Sequence, residues 1–184
     1  MDAEQYIDEL VQSERNQMVE RAEWISEHRP QFSDGFRIPG GEKALVIYED
    51  SQLCYIHGIL TGTIVLGQSF IEQSICAFAY ITGEFSESDR PGYHEARKFL
   101  EENDILAPED VEGVPLNELH NLRNSIIHFR TNTGESNWTG RIMYHNCEYP
   151  ESITPATHEM LKRDAKKVLR TCFSVIRMFG IGDI

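Results

Sequence analysis

From Ala44 to Thr82 the chain carries its longest apolar stretch, and within it Ser51 to Ile71 holds no Asp, Glu, Lys or Arg. Ile56, Ile59, Leu60, Ile64, Val65, Leu66, Ile71, Ile75, Phe78 and Ala79 fill this run, which predicts a long central helix. Such a helix must be surrounded, either by lipid or by other helices. Crossing a bilayer takes about 20 mainly apolar residues, and Gly58 and Gly62 have the small-residue spacing of membrane helix pairs. Against that, Gln52, His57, Thr61, Thr63, Gln68 and Ser69 would lie in hydrocarbon, and the chain's mean hydropathy is -0.41. The reading is a buried bundle helix with no membrane, its glycines admitting a close neighbour. Cys54-Tyr55-Ile56-His57 lies in the same run and is read as packing.

Flanking segments supply the neighbours. Residues 2–29 predict a first helix, with Ala3, Ile7, Leu10, Val11, Met18, Ala22 and Ile25 on one face and Pro30 at its end. Asp34-Gly35 and Pro39-Gly40-Gly41 make 30–43 a loop. A short helix is expected from about Tyr93 to Asn103, then a connection with Pro108 and Gly113, then a helix from Leu116 to Arg130. Asn132, Gly134, Asn137, Gly140 and Pro150 mark a small irregular or hairpin insertion near 131–152. Thr154-Pro155 starts a last helix that Gly180 caps; Leu161, Ala165, Val168, Leu169, Cys172, Phe173, Ile176 and Phe179 form its apolar stripe, and Lys162, Lys166 and Lys167 face water. The predicted fold is all-α, a single domain over 1–184 built as an antiparallel bundle of four or five helices, with the bundle proper at 44–180.

Thirty acidic against seventeen basic residues give a net charge of -13, which repels nucleic acid on average. No basic stripe stands out, so RNA would have to be met at a local cleft rather than on a broad basic surface. Lysine is scarce, five against twelve arginines, and an acidic chain poor in lysine suits concentrated salt. Cys54, Cys76, Cys147 and Cys172 form no C-x-x-C pair and sit mostly in apolar stretches, which predicts reduced, packed thiols and a cytoplasmic protein. The start, Met1-Asp2-Ala3-Glu4-Gln5, has neither the apolar core of a signal peptide nor the basic character of a transit peptide.

The polar residues of the helix at 116–130 carry the chemistry. His120, Asn124 and His128 follow at i, i+4 and i+8 and so form one row, with Arg123 beside Asn124. Cleaving RNA without a metal needs a base for the ribose 2′-hydroxyl, an acid for the departing 5′-oxygen and a cation for the phosphorane. An imidazole, with an unperturbed pKa of about 6.5, serves as base or acid. A guanidinium offers fixed donors matched to phosphate oxygens. Asn124 can hold the imidazole in one tautomer or donate to phosphate.

Arg123, Asn124 directly after it and His128 five residues beyond it resemble the motif of the HEPN superfamily. The resemblance implies an all-helical fold and a metal-independent endoribonuclease of toxin, defence or RNA-processing type, with Arg123, Asn124 and His128 catalytic and no cofactor. His120 and Arg130 would then touch substrate; some toxin members have a tyrosine where this chain has Arg130. Along a helix, Arg123 and His128 point about 140° apart, so one copy makes a poor site. The family's answer is a homodimer in which two motif helices share one cleft.

Other features are weighed against this. His145, Cys147 and His158 match no common zinc spacing, so no metal is expected. Glu72, alone among apolar residues, calls for a cation from another helix; its functional version is an acid orienting Arg123. Trp24 and Trp138 are read as core or interface aromatics. No phosphate-cradling loop, serine elbow or dinucleotide fingerprint is present. The alternative function is a non-catalytic helical adaptor or dimerisation module that binds a protein, such as a nucleotidyltransferase-type antitoxin. The acidity suits that reading, because phosphate-binding charge is scarce.

Overall fold

The computed structural model describes residues 2–32, 36–83, 85, 90–127 and 153–180. Among them are six α-helices and no strand: α1 (Ala3–His28), α2 (Gly41–Ile56), α3 (Leu60–Thr82), α4 (Tyr93–Glu102), α5 (Leu116–Ile127) and α6 (Ile153–Phe179), with a 3-10 turn at Pro108–Asp110. The all-α expectation holds. The insertion expected near 131–152 lies outside the described residues, as do His128, Arg130 and Trp138.

The single helix expected over 44–82 is two. His57-Gly58-Ile59 interrupts it, and Gly58 has φ +74°, a conformation that a Cβ would make costly. The Gly58 N–H reaches the Tyr55 carbonyl (3.0 Å) and the Ile59 N–H reaches that of Cys54 (2.8 Å), the paired bonds of a Schellman end. The apolar pattern runs straight through this turn, which is why periodicity alone missed it. The N-terminal end of α2 also lies earlier than expected, at Gly41 rather than Ala44.

The bundle is not uniformly antiparallel either. The tight turn makes α2 and α3 antiparallel, with Tyr48 against Phe70 (centroids 5.2 Å apart) and Gly62 against Cys54. By contrast α3 and α6 run the same way: Gly67 faces Val168 and Cys172, and further along Phe78 stacks on Phe179 at 4.3 Å. Short connections force antiparallel neighbours, whereas the long connection between α5 and α6 leaves their order to side-chain fit. A Cβ at Gly67 would strike Val168, so this glycine sets how closely α3 and α6 approach.

The core gathers Tyr48 and Tyr55 from α2, Ile64, Phe70, Ile71 and Ile75 from α3, Leu100 from α4 and Leu169, Phe173 and Phe179 from α6. Burying each such side chain contributes about 1.5–3 kcal/mol. The helix α3 is long and apolar enough to cross a membrane by length and composition. Here its neighbours are α2, α4, α5 and α6. Trp24 of α1 joins the core edge, 5.4 Å from Tyr55 and stacked on His28 at 4.5 Å. The N-terminal part of α1, by contrast, leaves Tyr6, Ile7, Leu10 and Val11 exposed.

Candidate functional site

The position of α5 is fixed from two sides before its chemistry begins. From α6, the Thr171 hydroxyl accepts from the Val114 N–H (2.9 Å) and lies 3.1 Å from the Glu112 carbonyl, while the Ser174 hydroxyl accepts from the Glu112 N–H (3.1 Å). Both hydroxyls are buried, so the loop's polar groups are satisfied where water cannot reach. From α4, the Tyr93 hydroxyl donates to the Leu116 carbonyl at 2.8 Å. Burial pushes the Tyr93 phenol above its ordinary 10.0, with Arg97 opposing and Glu72 adding to the rise. It is therefore a neutral donor throughout the physiological range.

So placed, α5 presents Arg123 to α3. The Arg123 Nη1 lies 3.8 Å from Glu72 Oε2, with about a quarter of each side chain exposed. Gln68, one turn earlier on α3 and fully buried, donates from Nε2 to Glu72 Oε1 at 2.7 Å. One carboxylate oxygen is thus held by an amide and the other faces the guanidinium. Among the described residues the Arg123 Nε is buried without a hydrogen-bond partner, and so is Gln68 Oε1. At 3.8 Å the ion pair is long, which leaves the guanidinium with more donors than acceptors.

These groups line a cleft of about 630 Å³ formed by Glu72, Tyr93, His94, Arg97, Leu116, Asn117, His120, Asn121 and Arg123. Arg97 lies 3.4 Å from Glu101, yet its Nε–H makes no hydrogen bond, so the contact is Coulombic. A larger cavity of about 890 Å³, between the end of α1 and α2, holds none of the motif residues; it is lined by Arg29, Phe32, Phe36, Arg37 and Tyr48 among others. Chemistry, not size, selects the smaller one.

The structure distributes the expected site residues unevenly. Arg123 is half-buried in the cleft, Asn124 is buried beside it, and His120 is exposed on the rim. His120 and Asn124 share a row, but the row passes from solvent into the interior. His128 and Arg130 lie outside the described residues. Among the described residues no three His, Cys, Asp or Glu side chains form a group that could hold a metal.

Two sets of residues escaped the sequence reading. Tyr93 and Arg97 stand one turn apart on a helix whose few apolar residues drew no notice, and the i, i+4 spacing was the available signal. Arg163 and Arg170 join the water-facing Lys162, Lys166 and Lys167 in a basic row on α6, where the sequence reading, led by a net charge of -13, saw no basic stripe. In comparisons with known proteins, no family model, no curated protein and no solved structure matches this chain.

Proposed function

We propose that this protein is a metal-independent endoribonuclease of HEPN type. It acts in the cytoplasm as a toxin or defence effector, through a homodimer with a shared active site. The observation that supports this best is the state of Arg123. Its guanidinium lines a cleft and is steered by Glu72, and among the described residues no group hydrogen-bonds its Nε. A cation of this kind suits the charge that develops on a phosphorane, because its orientation is set before substrate arrives. Glu72, held by Gln68, does the orienting. In this reading His128 supplies acid and base in the two copies, Asn124 is catalytic beside it, and His120, on the rim of the cleft, and Arg130 bind substrate. The test is cleavage of a defined RNA in EDTA, followed by the same assay on His128→Ala. Cleavage lost in the variant, with the oligomer unchanged by sedimentation, is the expected result. Intact RNA in EDTA and in magnesium alike, at low and molar salt, would end the proposal.

A second reading is favoured by α1. Tyr6, Ile7, Leu10 and Val11 are each between 47 and 58 % exposed, in the N-terminal part of α1. Four exposed apolar side chains in a row suit an adaptor that docks a protein partner. Loss of partner capture on removing residues 2–16, with RNA untouched by the intact chain, would favour the adaptor.

A further inference from the structure

On the solvent side of α6, Lys162, Arg163, Lys166, Lys167 and Arg170 fall within an arc of about 140° and a rise of about 12 Å. Five of the chain's seventeen lysines and arginines therefore share one short face of an otherwise acidic molecule. Lys167, Arg163 and Arg170 are exposed, and Lys162 and Lys166 are half-buried, with the Lys166 ammonium 5.1 Å above the Trp24 ring. Among the described residues none of these cations has a close carboxylate except Arg163, which is 4.0 Å from its neighbour Asp164. Burial, and then Lys162 and Arg170, push the Lys166 ammonium below its ordinary value, with Glu159 alone opposing. Like charges one turn apart weaken a helix by a few tenths of a kcal/mol per pair. The helix dipole does not excuse them, because they sit in the middle of α6 rather than in its last turn.

We infer that this row is a track for the phosphate backbone of an RNA strand, lying outside the cleft. The choice of RNA rests on the ribonuclease reading; the polyanionic character of the ligand rests on the row itself. A protein partner would bury apolar groups, and among the described residues α6 contributes none of the exposed large hydrophobics, its apolar face being spent in the core. An anionic lipid surface can be held by cations alone, and the vesicle arm of the experiment separates it. A phosphate backbone needs only cations, whose binding releases condensed counterions.

The experiment uses the full chain and a labelled single-stranded oligonucleotide of 2′-O-methyl RNA, which a 2′-hydroxyl-dependent nuclease cannot cut. Lys162→Gln, Arg163→Gln, Lys167→Gln and Arg170→Gln are combined, sparing Lys166 because it contacts Trp24. Binding should weaken at least tenfold at low salt. The slope of log K against log salt should flatten by up to about 3, from four phosphate contacts at roughly 0.7 each. The same four positions changed to retain charge, Lys to Arg and Arg to Lys, should keep the binding. The track is refuted if the native chain does not bind the oligonucleotide, or if the glutamine variant binds with an unchanged slope. It is also refuted if the native chain binds vesicles of mixed phosphatidylserine and phosphatidylcholine, but not the oligonucleotide, through these residues. Cleavage of ordinary RNA is scored separately. Stripe-dependent binding without cleavage sinks the nuclease and keeps the track, and cleavage with stripe-independent binding does the reverse.

Discussion

Arg21 on α1 and Arg123 on α5 both carry a permanent charge into partly buried surroundings, and their surroundings use them in opposite ways. Arg21 is 9 % exposed; its Nη1 donates to the Ile56 carbonyl (3.1 Å) and its Nη2 to the Gln17 side chain (2.9 Å). It lies over Gly58, so it closes the carbonyl end of α2 at the turn that splits the apolar run. Among the described residues Arg123 has one long ion pair and a buried Nε without a hydrogen-bond partner. A guanidinium satisfied by backbone acceptors is a structural cap. One that is oriented by a carboxylate yet under-used beside a cleft is equipped for a ligand.

The sharpest break of this contrast would come from truncating Arg123. Arg123→Ala should lower RNA cleavage by about 10²–10³-fold, the usual cost of one transition-state donor. Its unfolding midpoint should stay close to that of the native chain, since removal relieves an unsatisfied Nε. A large stability loss would place Arg123 in the same class as Arg21. Arg21→Ala should do the converse, costing about 1.5–3 kcal/mol in denaturant unfolding, because bonds to a charged donor are lost from a buried carbonyl. Cleavage by the folded fraction should be unchanged.

Gly58→Ala probes the same cap from the other side. The φ of +74° and the crowding of the added Cβ by Arg21 Nη1 at 2.9 Å should together cost about 1–2 kcal/mol. Combined with Arg21→Ala the loss should be less than additive, as the crowding disappears.

The smallest effect concerns alkaline pH. Burial, opposed by Arg21, pushes the Tyr55 phenol up to about 12 from 10.0, and burial raises the Cys172 thiol above its ordinary 9.0. The folded state keeps these protons at a pH where the unfolded chain has lost them. The associated stability is therefore complete below about pH 9 and declines as pH climbs through the folded values. Urea midpoints between pH 7 and 11 should show this decline. It should steepen in Arg21→Ala, which removes a cation that favours the tyrosinate, and remain as in the native chain in Arg123→Ala.

Much of this architecture could be read from residue spacing. The stripe of Ala165, Val168, Cys172 and Ile176 is buried in α6 as its period requires, and Pro30 and Gly180 bound their helices. The turn at Gly58 was less visible, because a Schellman end with apolar flanks leaves the pattern unbroken. The parallel course of α3 and α6 was invisible, since it depends on Gly67 accepting Val168 across a distance in sequence that no period spans. For the site, the motif directed attention to Arg123 and Asn124. Tyr93, Arg97 and Gln68 entered only once three helices had met.

By itself the sequence determined which segments are helical and which faces are apolar, because those follow from the local period and from where glycine and proline stop it. Tertiary structure alone decided that Glu72 confronts Arg123 and that Arg21 is consumed by a turn. Each of those depends on groups far apart in the chain competing for the same hydrogen bonds and the same water, and that competition is settled only by packing.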